Sequence, residues 1–178
     1  MAGSILVAYA TKMGSAQEVA ETVAGALRES GFSVEVAAAG KARDVGRYDA
    51  VVLGTGIRAG RVYSEAVKFA KANVSALVGK PVALFSVGMQ MAEDTEANRA
   101  QAQAFLQPLV DDLRPAAVAM FGGRVDLKKA GLFWGAAYKM VARQKQGEGS
   151  QDPFADYRDW DAIKAWAAGL PEALGLGA

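Results

Sequence analysis

Three short segments of this 178-residue chain carry residue types suited to a charged, planar ligand. The first, Thr11-Lys12-Met13-Gly14-Ser15-Ala16, runs from an apolar stretch straight into a helical pattern. Unpaired amides and the positive dipole end meet at such a helix start, which suits a phosphate. Thr11 and Ser15 add hydroxyl donors, and Gly14 permits close backbone approach. The loop is neither GxxxxGK[ST] nor GxGxxG, so it is not a nucleotide-binding fingerprint of either kind. An ordinary capped strand-to-helix turn reads the same way. The second segment, Gly54-Thr55-Gly56-Ile57-Arg58-Ala59-Gly60-Arg61, combines three glycines with two arginines. Such a loop can lie flat against a ring; a plain glycine-rich turn with solvated arginines is the alternative. The third, Ser86-Val87-Gly88-Met89-Gln90-Met91, is apolar where polar turns are usual. Methionine packs well on aromatic rings, although a loop that merely covers the core fits too.

Composition narrows the chemistry further. The chain has no His and no Cys. A Ser-His-Asp triad, an imidazole base, a thiolate nucleophile, a disulfide and a thiolate-held iron–sulfur cluster are therefore excluded. No metal site is expected, because carboxylates alone are a poor ligand set for zinc. Redox chemistry would have to come from a bound organic cofactor. Twenty basic residues against 19 acidic ones give a net charge of +1, which speaks against nucleic acid as a partner. The N-terminal residues show no signal-peptide pattern, and no apolar run approaches the length of a membrane span. The expected location is cytoplasmic, with peripheral contact at the inner membrane face left open.

These segments need a scaffold that brings them to one edge. Short apolar runs at 5–9, 33–36, 49–54, 81–87 and 116–121 alternate with helical patterns at 16–30, 64–77 and 96–113. This rhythm predicts an α/β fold with a parallel sheet and helices on both faces. The expected strand order is 2-1-3-4-5, a three-layer sandwich whose ligands bind beyond the carboxyl ends of the strands. The whole chain, 1–178, reads as one domain with an insertion at about 122–156 between the fifth strand and the last helix. That helix starts after Asp159, buries Trp160, Ile163, Trp166 and Ala167, and is expected to stop at Gly169-Leu170-Pro171 with a frayed tail beyond.

The insertion has its own character. Residues 124–146 hold Arg124, Lys128, Lys129, Lys139, Arg143 and Lys145 against the single acid Asp126. Phe133, Trp134, Ala137, Met140 and Val141 make an apolar stripe at helical spacing, and 144–153 reads as a loop. A basic, aromatic, amphipathic segment suits an anionic membrane surface or a flat anionic substrate. A core-packed helix with a solvated basic face is the plainer reading. Arg61, Arg124, Lys128, Lys129, Trp134, Lys139 and Arg143 are the candidate substrate or membrane contacts.

The first segment resembles the phosphate loop of the flavodoxin family, [ST]-x-T-G-x-T, with Thr11 and Gly14 matching and Met13 and Ala16 in place of threonines. The resemblance extends to the menaquinone-dependent protoporphyrinogen IX dehydrogenase branch. Its G-x-S-I-R-x-G loop corresponds to Gly54-Thr55-Gly56-Ile57-Arg58-Ala59-Gly60, and its loop after strand four to Leu84-Phe85-Ser86-Val87-Gly88. Its helix start corresponds to Arg158-Asp159-Trp160, after a basic aromatic insertion. The resemblance implies a flavodoxin-like fold, FMN as cofactor, and hydride transfer from a porphyrinogen to FMN and on to quinone, as in haem biosynthesis. It implies cofactor contacts from Thr11, Lys12, Met13, Gly14, Ser15, Ala16, Thr55, Gly56, Ile57, Arg58, Ser86, Val87, Gly88, Met89 and Gln90, with Gly56, Ile57 and Arg58 nearest the chemistry. A soluble FMN electron carrier with a redox protein as acceptor, and a flavin-free binding module, are the alternatives. The three loops offer Lys12, Arg58 and Arg61 and no carboxylate before Glu93, so a flavin potential above that of acidic carriers is expected.

Overall fold

The computed structural model describes residues 3–145 and 154–177. Apolar side chains alternate along each buried strand, and each alternate set finds its own helical layer. Strands β1 (Ser4–Ala10), β2 (Ser33–Ala38) and β3 (Ala50–Arg58) come from the first third of the chain. With β5 (Val82–Gly88) and β6 (Ala117–Gly122) they form a parallel sheet of order β2-β1-β3-β5-β6. This is the expected order of the five principal strands. On one face Ile5, Val7, Val52, Phe85 and Val87 meet α1 (Ser15–Glu29) and α6 (Trp160–Ala173). On the other, Leu6, Ala8, Val51, Leu53 and Leu84 meet α2 (Ser64–Ala72), α3 (Val74–Leu77) and α4 (Glu96–Leu113).

Four differences from the sequence expectation have local causes. The pattern at 64–77 is two helices, because Asn73 (φ −113°, ψ 11°) leaves the helical region and its side-chain amide donates to the Phe69 carbonyl at 2.8 Å. The segment after Leu53 is strand rather than loop: β3 continues to Arg58 and turns back antiparallel through β4 (Arg61–Val62). Ala59 (φ 50°) and Gly60 (φ 72°) make that two-residue turn in the left-handed region that hairpins require. Likewise Ser86, Val87 and Gly88 still belong to β5. Finally, α6 runs past Gly169 and Pro171 to Ala173. Leu170 and Leu174 are buried on the same stripe as Ile163 and Ala167, and that apolar burial outweighs the amide that proline lacks. The end is closed by Gly175 (φ 65°), whose amide bonds Glu172, while that of Leu176 bonds Pro171. The tail through Leu176 is thus packed, not frayed.

The insertion holds α5 (Leu127–Lys145), interrupted at Gly131 (φ 76°, ψ 171°). The loop expected at 144–153 falls largely on residues 146–153, outside the described residues. Helix α5 lies over the carboxyl edge of the sheet, where Met13, Val125 and Ala130 form a small third core with Met89, Leu127, Trp134, Tyr138 and Phe154 around it.

Candidate functional site

The turn between β1 and α1 is held from within. The Gly14 amide donates to Thr11 Oγ1 at 2.9 Å, and Gly14 takes the N-cap position at φ 87°. No side chain caps α1, so its first-turn amides lack the usual side-chain acceptor. Ala16 is fully buried against the core and Met13 is 8% exposed beneath α5, so each can offer the edge only backbone donors or an apolar floor. Lys129 Nζ stands 3.2 Å from where a Gly14 Cβ would sit, placing an ammonium beside the turn. Lys12 instead pairs with Glu65 on α2, which holds the Glu65 carboxyl below its ordinary range.

Glu18, one turn into α1, is gripped by two arginines. Arg158 Nη1 approaches it at 2.6 Å and Arg124 Nη2 at 3.2 Å. The Arg158 side chain is 2% exposed and also pairs with Asp156 at 2.6 Å. Burial opposes its charge, but the hydrogen bonds that it donates to Asp156 and Glu18 outweigh that and raise its pKa. The same contact holds the Asp156 carboxyl below its ordinary range. Arg124 thus reaches across to α1, with its side chain still 32% exposed.

The β3–β4 hairpin supplies the opposite wall. Thr55 is fully buried; its hydroxyl donates to the Gly56 carbonyl at 2.9 Å and accepts from the Tyr63 amide at 3.2 Å. It pins the hairpin. The Arg58 guanidinium lies between two rings, 4.9 Å from the Trp134 centroid and 5.5 Å from that of Tyr63. Burial raises the Tyr63 pKa, with Arg58 opposing. Ile57 and Arg58 are half-buried, and Arg61 is exposed. Gly54 and Gly56 are spacers for packing: a Cβ at Gly54 would fall 2.0 Å from Phe85 Cζ, and one at Gly56 would fall 2.4 Å from Tyr63 Cε2.

From β5 come Ser86 (fully buried), Val87 (2% exposed, in the α1–α6 core) and buried Gly88, followed by half-buried Met89 and Gln90. Among the described residues, three buried side-chain polar atoms lack a hydrogen-bond partner: Arg58 Nε, Ser86 Oγ and Gln90 Nε2. All three belong to the carboxyl ends of β3 and β5 or the turn that follows. Buried polar groups are nearly always paired, so three such atoms at one edge of the sheet mark where a polar ligand would complete the bonding. Trp134 turns inward onto Arg58, whereas Lys128, Lys139 and Arg143 are exposed on α5.

Sequence reasoning did not single out Tyr63, Glu65, Tyr138 or Arg158 as parts of this edge. The hairpin that delivers Tyr63 and Glu65 has Ala59-Gly60 in place of the Asn-Gly that announces such turns. No group of His, Cys, Asp and Glu suited to a metal occurs among the described residues.

A parallel sheet with helices on both faces and a ligand-ready carboxyl edge defines the doubly wound α/β class. The family model for the flavodoxin domain matches residues 6–152, and the chain belongs to that family. Family membership indicates FMN as the cofactor. The chain is 25% identical over 166 residues to the Escherichia coli K12 protoporphyrinogen IX dehydrogenase [quinone], covering 91% of both chains. A short-chain flavodoxin associated with a non-canonical PDU bacterial microcompartment has a TM-score of 0.57 at 17% identity, covering 97% of this chain and 96% of that one. Rubredoxin oxygen:oxidoreductase from Desulfovibrio gigas has a TM-score of 0.60 at 13% identity, covering 98% of this chain but 37% of that one. These structures share the fold.

Proposed function

We propose that the protein is an FMN-dependent oxidoreductase of the protoporphyrinogen dehydrogenase kind, taking electrons from a porphyrinogen and passing them to quinone. The observation that carries the reading is that three buried polar atoms, Arg58 Nε, Ser86 Oγ and Gln90 Nε2, are unpartnered at the edge where this fold binds its ligand. The sequence likeness over 91% of the relative supports the reaction class. FMN, when bound, supplies the two-electron acceptor that the His- and Cys-free chain lacks.

The chain's own residues bind, orient and shield. The uncapped amides of α1 and the hydroxyls of Thr11 and Ser15 hold a phosphate, with Gly14 giving backbone access and the Lys129 ammonium adding charge. Arg124 and Arg158 neutralise Glu18, which would otherwise repel an anion one turn away. Gly56, Ile57 and Arg58 line the reacting side, with peptide donors and a guanidinium to stabilise developing negative charge or hold a propionate. Met13, Met89 and Trp134 form the apolar cover that excludes water. No side-chain acid or base is required.

Purified protein supplemented with FMN, mixed without oxygen with protoporphyrinogen and a menaquinone analogue, tests this directly. The expected result is a flavin spectrum with porphyrinogen oxidation dependent on quinone. Bound flavin with one-electron behaviour and no porphyrinogen turnover would assign the protein to the electron carriers instead. Absence of flavin binding would favour a binding module.

A further inference from the structure

Helix α5 is amphipathic with its apolar side facing out. Among the described residues, seven large hydrophobic side chains are exposed, and four of them sit on α5: Leu132 (97%), Phe133 (78%), Met140 (63%) and Val141 (45%). The other three, Val74, Val78 and Val118, are scattered over α3, its C-terminal neighbour and β6. At about 100° per residue, Leu132, Ala136, Met140 and Phe133 share an arc of roughly 100°. The inward face is filled differently: Trp134 and Tyr138, one turn apart, join the small core over the carboxyl edge, and Ala142 is buried. The outward apolar face is thus additional to the one the fold uses.

Cations stand at one end of it. On the helix wheel Lys139 lies about 20° outside Leu132 and Arg143 about 20° inside, between Leu132 and Ala136, and Lys128 and Lys129 precede the Gly131 break. All four are exposed, and among the described residues none is in an ion pair. Asp126 is the single acid in the segment, and its carboxylate accepts from the Lys128 amide at 3.0 Å.

We infer that the outer face of α5 docks on an anionic lipid bilayer, with Leu132, Phe133 and Met140 entering the interface and Lys128, Lys139 and Arg143 at the headgroups. An exposed apolar arc with long basic side chains at one end, whose stems lie along the apolar surface while their charges reach the headgroups, is the pattern of an interfacial helix. The face is the convex outside of a helix, which matches a plane and not a small ligand. Helix α5 holds no acidic residue, so a second copy of it on this face would offer Lys139 and Arg143 no opposite charge, whereas anionic lipid complements them. Docked this way, the covered edge that holds Arg58 and Met89 lies directly behind the membrane-facing helix. The docking does not depend on the oxidoreductase reading, so vesicle binding and porphyrinogen turnover fail separately.

The test is co-sedimentation of the full chain, loaded with FMN, with vesicles of phosphatidylcholine alone or mixed equally with phosphatidylglycerol. Binding is expected to the anionic vesicles, to weaken with added salt, and to fall at least about tenfold on phosphatidylcholine. Leu132→Asp should cost about tenfold or more. Its side chain is 97% exposed, so the fold is insulated from the change. Lys139→Glu with Arg143→Glu should lose about 25-fold or more on anionic vesicles only, at about fivefold per basic residue before reversal. Equal binding to both vesicle types, or unchanged binding by Leu132→Asp, would overturn the proposal. So would a dimer abolished by Leu132→Asp in a protein that ignores vesicles, which would assign the face to a second copy.

Discussion

The buried ring of Phe85 sets the rule for its neighbours. It packs against Phe121 and Trp166, with centroids 6.2 and 6.0 Å away, and its edge occupies the space above Gly54. A methyl group there has no room, since the ring is itself fully buried. Gly54→Ala should therefore destabilise the protein by about 1–3 kcal/mol through overpacking, seen as a lower midpoint in chemical denaturation. Asp156 makes a prediction with a sign. Arg158 holds its carboxyl below the ordinary range, so its contribution is full above the unfolded value near 3.9 and is lost as pH falls through the depressed folded value. Asp156→Asn should thus be less stable than the parent above about pH 5, and the gap should close as the solution is acidified. A gap that persists unchanged to the lowest pH would remove Asp156 from the acid transition. Sequence revealed which residue types gather here but not their commitments. Thr55, Ala16 and Val87 look like site residues by position, yet their side chains are spent on the core or on the hairpin. A one-dimensional pattern does not tell which side of a strand each residue takes at the very edge of the sheet.

At the scale of elements, the strands and their order were legible because their apolar runs are near-continuous, as burial on both faces demands. The β3–β4 hairpin was not, because its turn uses Ala59 at φ 50°, where an L-residue is strained. Ala59→Gly removes that strain and should stabilise the fold by about 0.5–1 kcal/mol, a rise of roughly 1–4 °C in Tm. Differential scanning calorimetry checks this; a lower Tm would mean that Ala59 makes a packing contribution larger than its backbone cost. The end of α6 was misplaced for the opposite reason. Gly169 and Pro171 are stop signals, but Leu170 and Leu174 continue the buried stripe through them. Helix α5 shows the limit of periodicity alone. Its apolar residues occupy two faces, and only the packing distinguishes Trp134, which meets Arg58, from Phe133, which touches the Trp134 ring but is 78% exposed.

Across the whole molecule, a net charge of +1 conceals an uneven distribution, and pairing decides which charges count at the edge. Lys12 is answered by Glu65, and Arg124 by Glu18, so neither adds a full charge near the ligand. Arg58 has no carboxylate partner among the described residues; its neighbours are the rings of Tyr63 and Trp134. Lys129, also without an ion-pair partner there, stands beside Gly14. The expected rise in flavin potential therefore rests on Arg58, Arg61 and Lys129, none of them in an ion pair among the described residues, more than on Lys12. A cation stabilises the anionic reduced flavin, so removing one lowers the potential. At an effective dielectric near 20 the loss is about 1–3 kcal/mol per close charge, or roughly 20–60 mV for a two-electron couple. Arg58→Gln should show the larger drop, Lys129→Gln a smaller one with weaker FMN binding, and Lys12→Gln little change. Spectroelectrochemical titration of the FMN-loaded variants reads all three. A drop in Lys12→Gln equal to that in Arg58→Gln would mean that Glu65 does not screen Lys12. The field at the edge would then follow the sum of nearby cations, with no weight given to how each is paired.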